Sequence, residues 1–177
     1  MKPNTPNPAT ERIETHGFLG EEFLTWLWYQ WEQHGGEFTF AGGRVVGVAL
    51  DDFLIFAAPS DEETEQTLRR GLPTRTAEAR TALRQGRRLK KARLLIAEGS
   101  RQWTATLDAA SLTLAGVKLP EDAEECESDI DRTTDRAANW LALDEILQAL
   151  YGRFLGERLA PDYKATKAAA QAKWMAS

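Results

Sequence analysis

Apolar positions along this chain recur with two different periods, and the change from one to the other marks out its elements. From Phe18 to Gln33 the sequence FLGEEFLTWLWYQWEQ places Phe23, Leu24, Leu27 and Trp31 on one face of a helix. Trp28 and Tyr29 fall off that stripe, so the helix is apolar round more than half its girth. His34-Gly35-Gly36 ends it, because glycine accepts the left-handed backbone of a helix stop. EFTFA, VVGVAL and FLIFAA follow, short runs rich in β-branched and aromatic residues. Gly42-Gly43 and Asp51-Asp52 read as the tight turns between them. Glu65 to Arg70 fits a further strand or part of a short helix starting near Ser60. Beyond Pro73, TRTAEARTALRQ suits a helix of about three turns closed by Gly86. RRLKKARLLIAE and RQWTATLD flank Gly99-Ser100 and form the clearest hairpin in the chain. SLTLAGVKLP adds an extended piece stopped by Pro120. Asn139 to Leu159 is an amphipathic helix, with Trp140, Leu143, Ile146, Leu147, Leu150, Phe154 and Leu155 at three- and four-residue spacing.

Strands grouped between helices, without regular β-α alternation, predict an α+β fold. The expected architecture is an antiparallel sheet of hairpins. It packs with an N-terminal aromatic helix, a short middle helix and a long C-terminal amphipathic helix. Residues 1–16 are rich in Pro and Asn, lack periodicity and read as a flexible leader. Residues 17–160 read as a single domain, interrupted by an acidic loop at 121–135. Residues 161–177, rich in Ala and Lys, read as a flexible or loosely helical tail.

Composition adds little until it is resolved along the chain. The 177 residues carry a net charge of −5, with 42% hydrophobic and 28% charged residues, as in an ordinary globular protein. Between Arg69 and Arg93, ten Lys or Arg face one acid, Glu78, for a local charge of +9. The remaining 12 bases and 26 acids give −14. Screening confines each charge to roughly 8–10 Å at ordinary ionic strength, so the pattern matters more than the sum. No apolar run approaches the ~20 residues of a membrane span, and residues 1–10 have no apolar signal core. The single cysteine, Cys126, forbids an intrachain disulfide and fits a reducing compartment, so the expected location is cytoplasmic.

Catalytic chemistry is thinly represented. His16 and His34 both lie beside glycines at helix ends, where a triad or metal set would need converging partners. Cys126 sits among Glu124, Glu125 and Glu127, whose charge raises a thiol pKa and blunts its nucleophilicity. There is no GxxxxGK[ST] and no GxGxxG between a strand and a helix. Asp51-Asp52, Asp108 or the acidic run would be the carboxylates of a Mg²⁺-dependent nuclease, but the pair fits a turn and the run fits a loop. No enzyme, cofactor or metal is expected.

Two segments remain. The tryptophans read first as core and interface, since aromatic rings dominate buried contacts. Because the first helix is apolar on two faces, Trp26, Trp28, Tyr29 and Trp31 are expected to help bind a second copy of the chain. Trp103, beside Arg101 and opposite the basic strand, comes nearest to a base-stacking platform. In the basic segment, Arg80 and Arg84 share a helix face. Strand alternation then puts Arg87, Leu89, Lys91 and Arg93 on one side and Arg88, Lys90 and Ala92 on the other, with the core beginning at Leu94. Arg80, Arg84, Arg87, Arg88, Lys90, Lys91 and Arg93 are thus candidate contacts to the backbone phosphates of a nucleic acid, made without reading sequence. The competing reading is a solvated face paired with the chain's own acids.

The run from Ala82, ALRQGRRLKKARLLIAEGSRQWTATLDAASLTLAGVKLP, resembles the C-terminal part of the bacterial recombination-associated protein RdgC family. The resemblance lies in a short helix ending near Gly-Arg, a basic-to-apolar strand, a turn, a strand ending at Leu-Asp, and a Leu-x-x-x-Lys-Leu segment. An acidic stretch and a closing helix, ANWLALDEILQALYGRFLGERL, follow in the family's order, and FLGEEFLTWLWY is similar to a signature of divergent members. The match runs from about Phe18 to Leu159, while family members are considerably longer. It implies a non-catalytic, homodimeric protein that binds duplex DNA with little sequence preference and restrains RecA-like strand exchange. Arg84, Arg87, Arg88, Lys90 and Lys91 then match the family's basic strand start. A recombinase or a separate protein is the implied further partner. The alternative function is a protein-interaction or oligomerisation module that does not bind DNA directly.

Overall fold

The computed structural model describes residues 18–57, 65–120 and 129–176, and forms an α+β fold. The elements run in the order α1 (Phe18–His34), β1 (Glu37–Thr39), β2 (Val45–Ala57), β3 (Gln66–Arg69), α2 (Ala77–Arg84), β4 (Arg88–Glu98), β5 (Arg101–Asp108), β6 (Thr113–Lys118), α3 (Asp129–Arg158) and α4 (Lys167–Ala176). The leader 1–16 with His16, and residues 121–128 of the acidic loop with Cys126, lie outside the described residues.

The sheet is antiparallel throughout, in the order β1-β2-β4-β5-β6. β2 pairs along one edge with β4; its other edge is shared by β1, at Val45 to Gly47, and β3, at Phe53 to Phe56. VVGVAL and FLIFAA are therefore one strand, and Asp51-Asp52 is no turn. The register slips between Leu50 and Leu54, where Asp51, Asp52 and Phe53 oppose Arg93 alone. A bulge of this kind absorbs extra residues and bends a strand without ending it. Two adjacent aspartates thus mimic a turn in sequence while the ladder continues.

Buried positions of β2, β4 and β5 alternate onto one face: Val46, Val48, Leu50, Leu54 and Phe56, then Leu89, Ala92, Leu94 and Ile96, then Trp103, Ala105 and Leu107. α1 crosses this face against β4 and β2. Six consecutive residues of α1, Phe23 to Trp28, are buried, so it is enclosed on all sides. α3 closes one flank through Leu143, Ile146, Leu150 and Phe154, with Phe154 against Phe23 and Trp26. The Trp103 indole donates a 3.0 Å hydrogen bond to the carbonyl of Asn139 on α3. α4 closes another flank, its Trp174 edge-on to Trp28 with centroids 5.5 Å apart.

The tail is thus part of the core, and the domain extends beyond residue 160. One aromatic residue among small ones suffices to dock α4, because a buried indole removes about 150–250 Å² from water. α3 also begins at Asp129, ten residues ahead of the expected start and inside the stretch read as a loop. Acidic residues in the first turn, here Asp129 and Asp131, favour a helix N-terminus.

Gly20 sets how closely α1 approaches the sheet. A Cβ at that position would lie 1.7 Å from the carbonyl oxygen of Ala109, just past β5. In FLGEEF the glycine lets the helix meet backbone directly.

Candidate binding surfaces

The seven cations of the basic segment do not form one surface. Arg80, on α2, faces inward: it pairs with Glu32 of α1 and stands 5.7 Å from the Trp28 ring and 5.3 Å from that of Trp174. Glu32 also accepts from the Trp28 indole at 2.6 Å and the Trp174 indole at 2.9 Å. One carboxylate therefore ties α1, α2 and α4 together, and Arg80 belongs to that tie. Arg84, although on the same helix, is exposed at its end.

In β4 the register slips once more: Ile55 pairs with Lys91 and Phe56 with Leu89, leaving Lys90 as the extra residue. The expected alternation fails there. Leu89 and Ala92 both point into the core, which begins at Leu89 and not at Leu94. Lys91 and Arg93 occupy the opposite, partly exposed face with Leu95 and Ala97.

Carboxylates meet most of these cations. Lys91 bonds Asp108 across the hairpin at 2.8 Å, Arg93 bonds Asp52 of the β2 bulge at 3.0 Å, Arg88 meets Glu21 of α1 at 3.3 Å, and Lys90 pairs with Glu65. The hydrogen bond from Lys91 holds the Asp108 carboxyl below its ordinary pKa, and the bond to Glu65 raises that of Lys90. With Arg80, five of the seven have an acidic partner. Arg84 and Arg87 have interactions of their own.

Arg87 and Arg88 have further company. They line a concavity of about 420 Å³ with Arg158, from the end of α3, and Lys164, from the turn before α4. Neither of these last two residues stood out in the sequence.

Of the expected interface tryptophans, Trp26 and Trp28 are 3% and 0% exposed within the single chain, so they cannot reach a second copy. The reason is that α3 and α4 supply the cover that a partner was expected to give. Tyr29 and Trp31 are half-buried against the same core, and Tyr29 packs on Trp174. Trp103 is also buried, so it offers no platform to a base.

Exposed apolar side chains gather elsewhere, on the first half of α3. Ile130 is 77% exposed, Leu141 66% and Trp140 45%. Trp140, Leu147 and Tyr151 recur at seven- and four-residue spacing along one flank, so Trp140 leads toward an apolar groove of about 180 Å³ between α3 and β6. Leu112, Leu114, Leu147 and Tyr151 line that groove.

Among the described residues no three His, Cys, Asp or Glu side chains converge as metal ligands. None of their helices is long and apolar enough to cross a membrane. Comparison with protein-family models, with curated proteins and with solved structures finds no match to this chain.

Proposed function

We propose that this chain is a non-catalytic interaction module that pairs with a second copy of itself through the first half of α3. The observation that carries this reading is the exposure of Trp140 and Leu141 on a helix whose later turns are packed, with Ile130 also exposed near its start. Scattered apolar residues are normal on a surface, but neighbouring ones that adjoin an apolar groove mark a contact region. A two-fold contact needs one patch that complements itself. Trp140 with Leu141 and the adjoining groove lined by Leu112, Leu114 and Leu147 meet that need: one side projects and the other receives.

Light scattering or sedimentation tests it. A dimer is expected, falling to a folded monomer when Trp140 and Leu141 are both made Glu, with a melting temperature lowered only by the lost association. A monomeric native chain, or a double variant that still dimerises, overturns it.

A second reading is RdgC-type binding of duplex DNA in the nucleoid, restraining RecA-like strand exchange. It is favoured by the exposure of the ion pairs: the Arg88 side chain is 63% exposed, and those of Lys90 and Arg93 are 38% and 37%. Such pairs contribute about 0–1 kcal/mol, little enough for phosphate to replace carboxylate. The reading expects duplex affinity to fall steeply with salt. Each contacting cation removed should flatten the slope by about one unit. Unchanged binding after Arg87, Arg88, Lys90 and Lys91 all become Ala would exclude it.

A further inference from the structure

We infer that the outer edge of β6 is the second part of the self-pairing contact. Thr113 to Ala115 of one copy run antiparallel to the same three residues of the other, about a two-fold axis at Leu114. This rests on the self-pairing proposed for α3. β6 ends the sheet: it pairs with β5, and among the described residues no other strand joins its far side. An open edge is a row of backbone donors and acceptors ready to receive a further strand. Three residues suffice for such a pair in this fold, as β1 shows against β2.

Area calls for a second part. Stable pairs of proteins bury roughly 800 Å² on each partner, and a whole aromatic side chain supplies about 150–250 Å². Trp140 and Leu141, 45% and 66% exposed, fall well short by themselves. β6 is the surface beside them. Its Leu114 shares the apolar groove with Leu147 and Tyr151 of α3. At its other end, Lys118 and Leu119 share a second concavity with Ala138 and Asn139, next to Trp140.

Local geometry sets the register. Thr106 pairs with Ala115 and Thr104 with Lys118, so one residue of β5 stands against two of β6, with Gly116 at φ +58°. A bulge of this kind bends a strand and blunts the edge beyond it. The regular stretch is therefore Thr113 to Ala115, centred on Leu114. Leu114 lies on the face of the sheet that carries α3. A two-fold axis perpendicular to the sheet keeps both α3 helices on one face of the joined sheet, with the two Leu114 side chains and the two grooves side by side. Leu112, which lines the same groove and is 40% exposed, has φ +54°. Leucine is strained in this left-handed region, where asparagine or glycine is not. The strain holds an apolar side chain at the surface, where a second copy would cover it.

Disulfide capture tests the pairing in the full chain carrying Cys126→Ser. Leu114→Cys puts two thiols opposite each other at the axis, where antiparallel Cα atoms stand roughly 4.5–5.5 Å apart and a disulfide can form. Val117→Cys, beyond the bulge, puts them about 20 Å apart. With copper phenanthroline as oxidant, Leu114→Cys should link at least roughly tenfold faster than Val117→Cys. Adding Trp140→Glu and Leu141→Glu should abolish that advantage. Leu112→Asn suits the backbone at its position, so it should fold and weaken dimerisation several-fold by sedimentation. A dimer in which Leu114→Cys links no faster than Val117→Cys overturns the edge pairing and spares the α3 contact. Should Leu114→Cys fail to fold, dimerisation unchanged by Leu112→Asn overturns the pairing instead. A native chain that sediments as a monomer overturns both.

Discussion

Helix α1 and the first half of α3 both carry tryptophan and aliphatic residues at helical spacing, yet they meet opposite fates. Phe23 to Trp28 of α1 are enclosed by the sheet, by α3 and by Trp174 of α4. Ile130, Trp140 and Leu141 of α3 have no such cover and stay 45–77% exposed. An apolar face demands burial wherever it lies, but tertiary geometry decides whether the same chain provides it. The helix that looked ready for a partner needs none, and an acidic, less apolar segment is the one left open.

The difference can be broken by mutation, most of all at Trp28. Trp28→Ala should cost about 3–5 kcal/mol, read as a lower midpoint in chemical denaturation, because an enclosed indole leaves a cavity its neighbours cannot fill. Loss near 1 kcal/mol would mean that α1 is far less enclosed than its burial indicates. Gly20→Ala should cost about 1–3 kcal/mol, since the added methyl meets the Ala109 carbonyl and must push α1 off the sheet. Thr76 caps α2, accepting from the Ala79 amide at 3.2 Å, so Thr76→Ala should cost about 1 kcal/mol by the same measurement.

A weaker effect depends on pH. The folded pKa of Asp108 is depressed by its bond from Lys91, so its contribution is full above the unfolded carboxylate value of roughly 3.9 and is lost as pH falls through the folded value. Stability should therefore slope downward below about pH 4, and Asp108→Asn should flatten that slope. Lys90 works at the alkaline end: its raised pKa keeps its contribution in place below roughly 10.4 and withdraws it at higher pH. Smallest of all, Trp140→Ala should move the unfolding free energy of the monomer by no more than about 0.5 kcal/mol, against several for Trp28→Ala. A large loss at Trp140 would mean that the first half of α3 is held by its own domain and is no contact face.

Elements with strong local signals were legible in the sequence. α1, the β4–β5 hairpin at Gly99-Ser100, and the stripe from Leu143 to Phe154 lie where periodicity and turn residues put them. The pairing of Lys91 with Asp108 follows from that same hairpin, although from sequence Lys91 is expected as a phosphate contact and Asp108 as a carboxylate without a partner. A hairpin closed by two residues places Glu98 opposite Arg101, and counting outward puts Lys91 opposite Asp108. What stayed hidden depends on distant parts of the chain. Asp52 meets Arg93 because of a bulge in β2, and Glu32 meets Arg80 because α2 folds back onto α1. Arg158 and Lys164 join Arg87 and Arg88 through the packing of the C-terminal turns. No local pattern encodes such meetings, so the basic segment read as one ribbon when its members go to several places.

The three-way pairing of β2 also bears on the order in which the fold is made. The β4–β5 hairpin needs a two-residue turn and can close on the scale of microseconds, without help from the rest of the chain. β2 gains a ladder only by closing a long loop onto β4, Leu54 onto Ala92, and loop entropy delays that step. β1 and β3 then have an edge to join, since both pair with β2 and with nothing else in the sheet. On this route the hairpin acts as a template that half the sheet waits for, and slow docking of β2 would leave the template's open edge bare while the protein assembles.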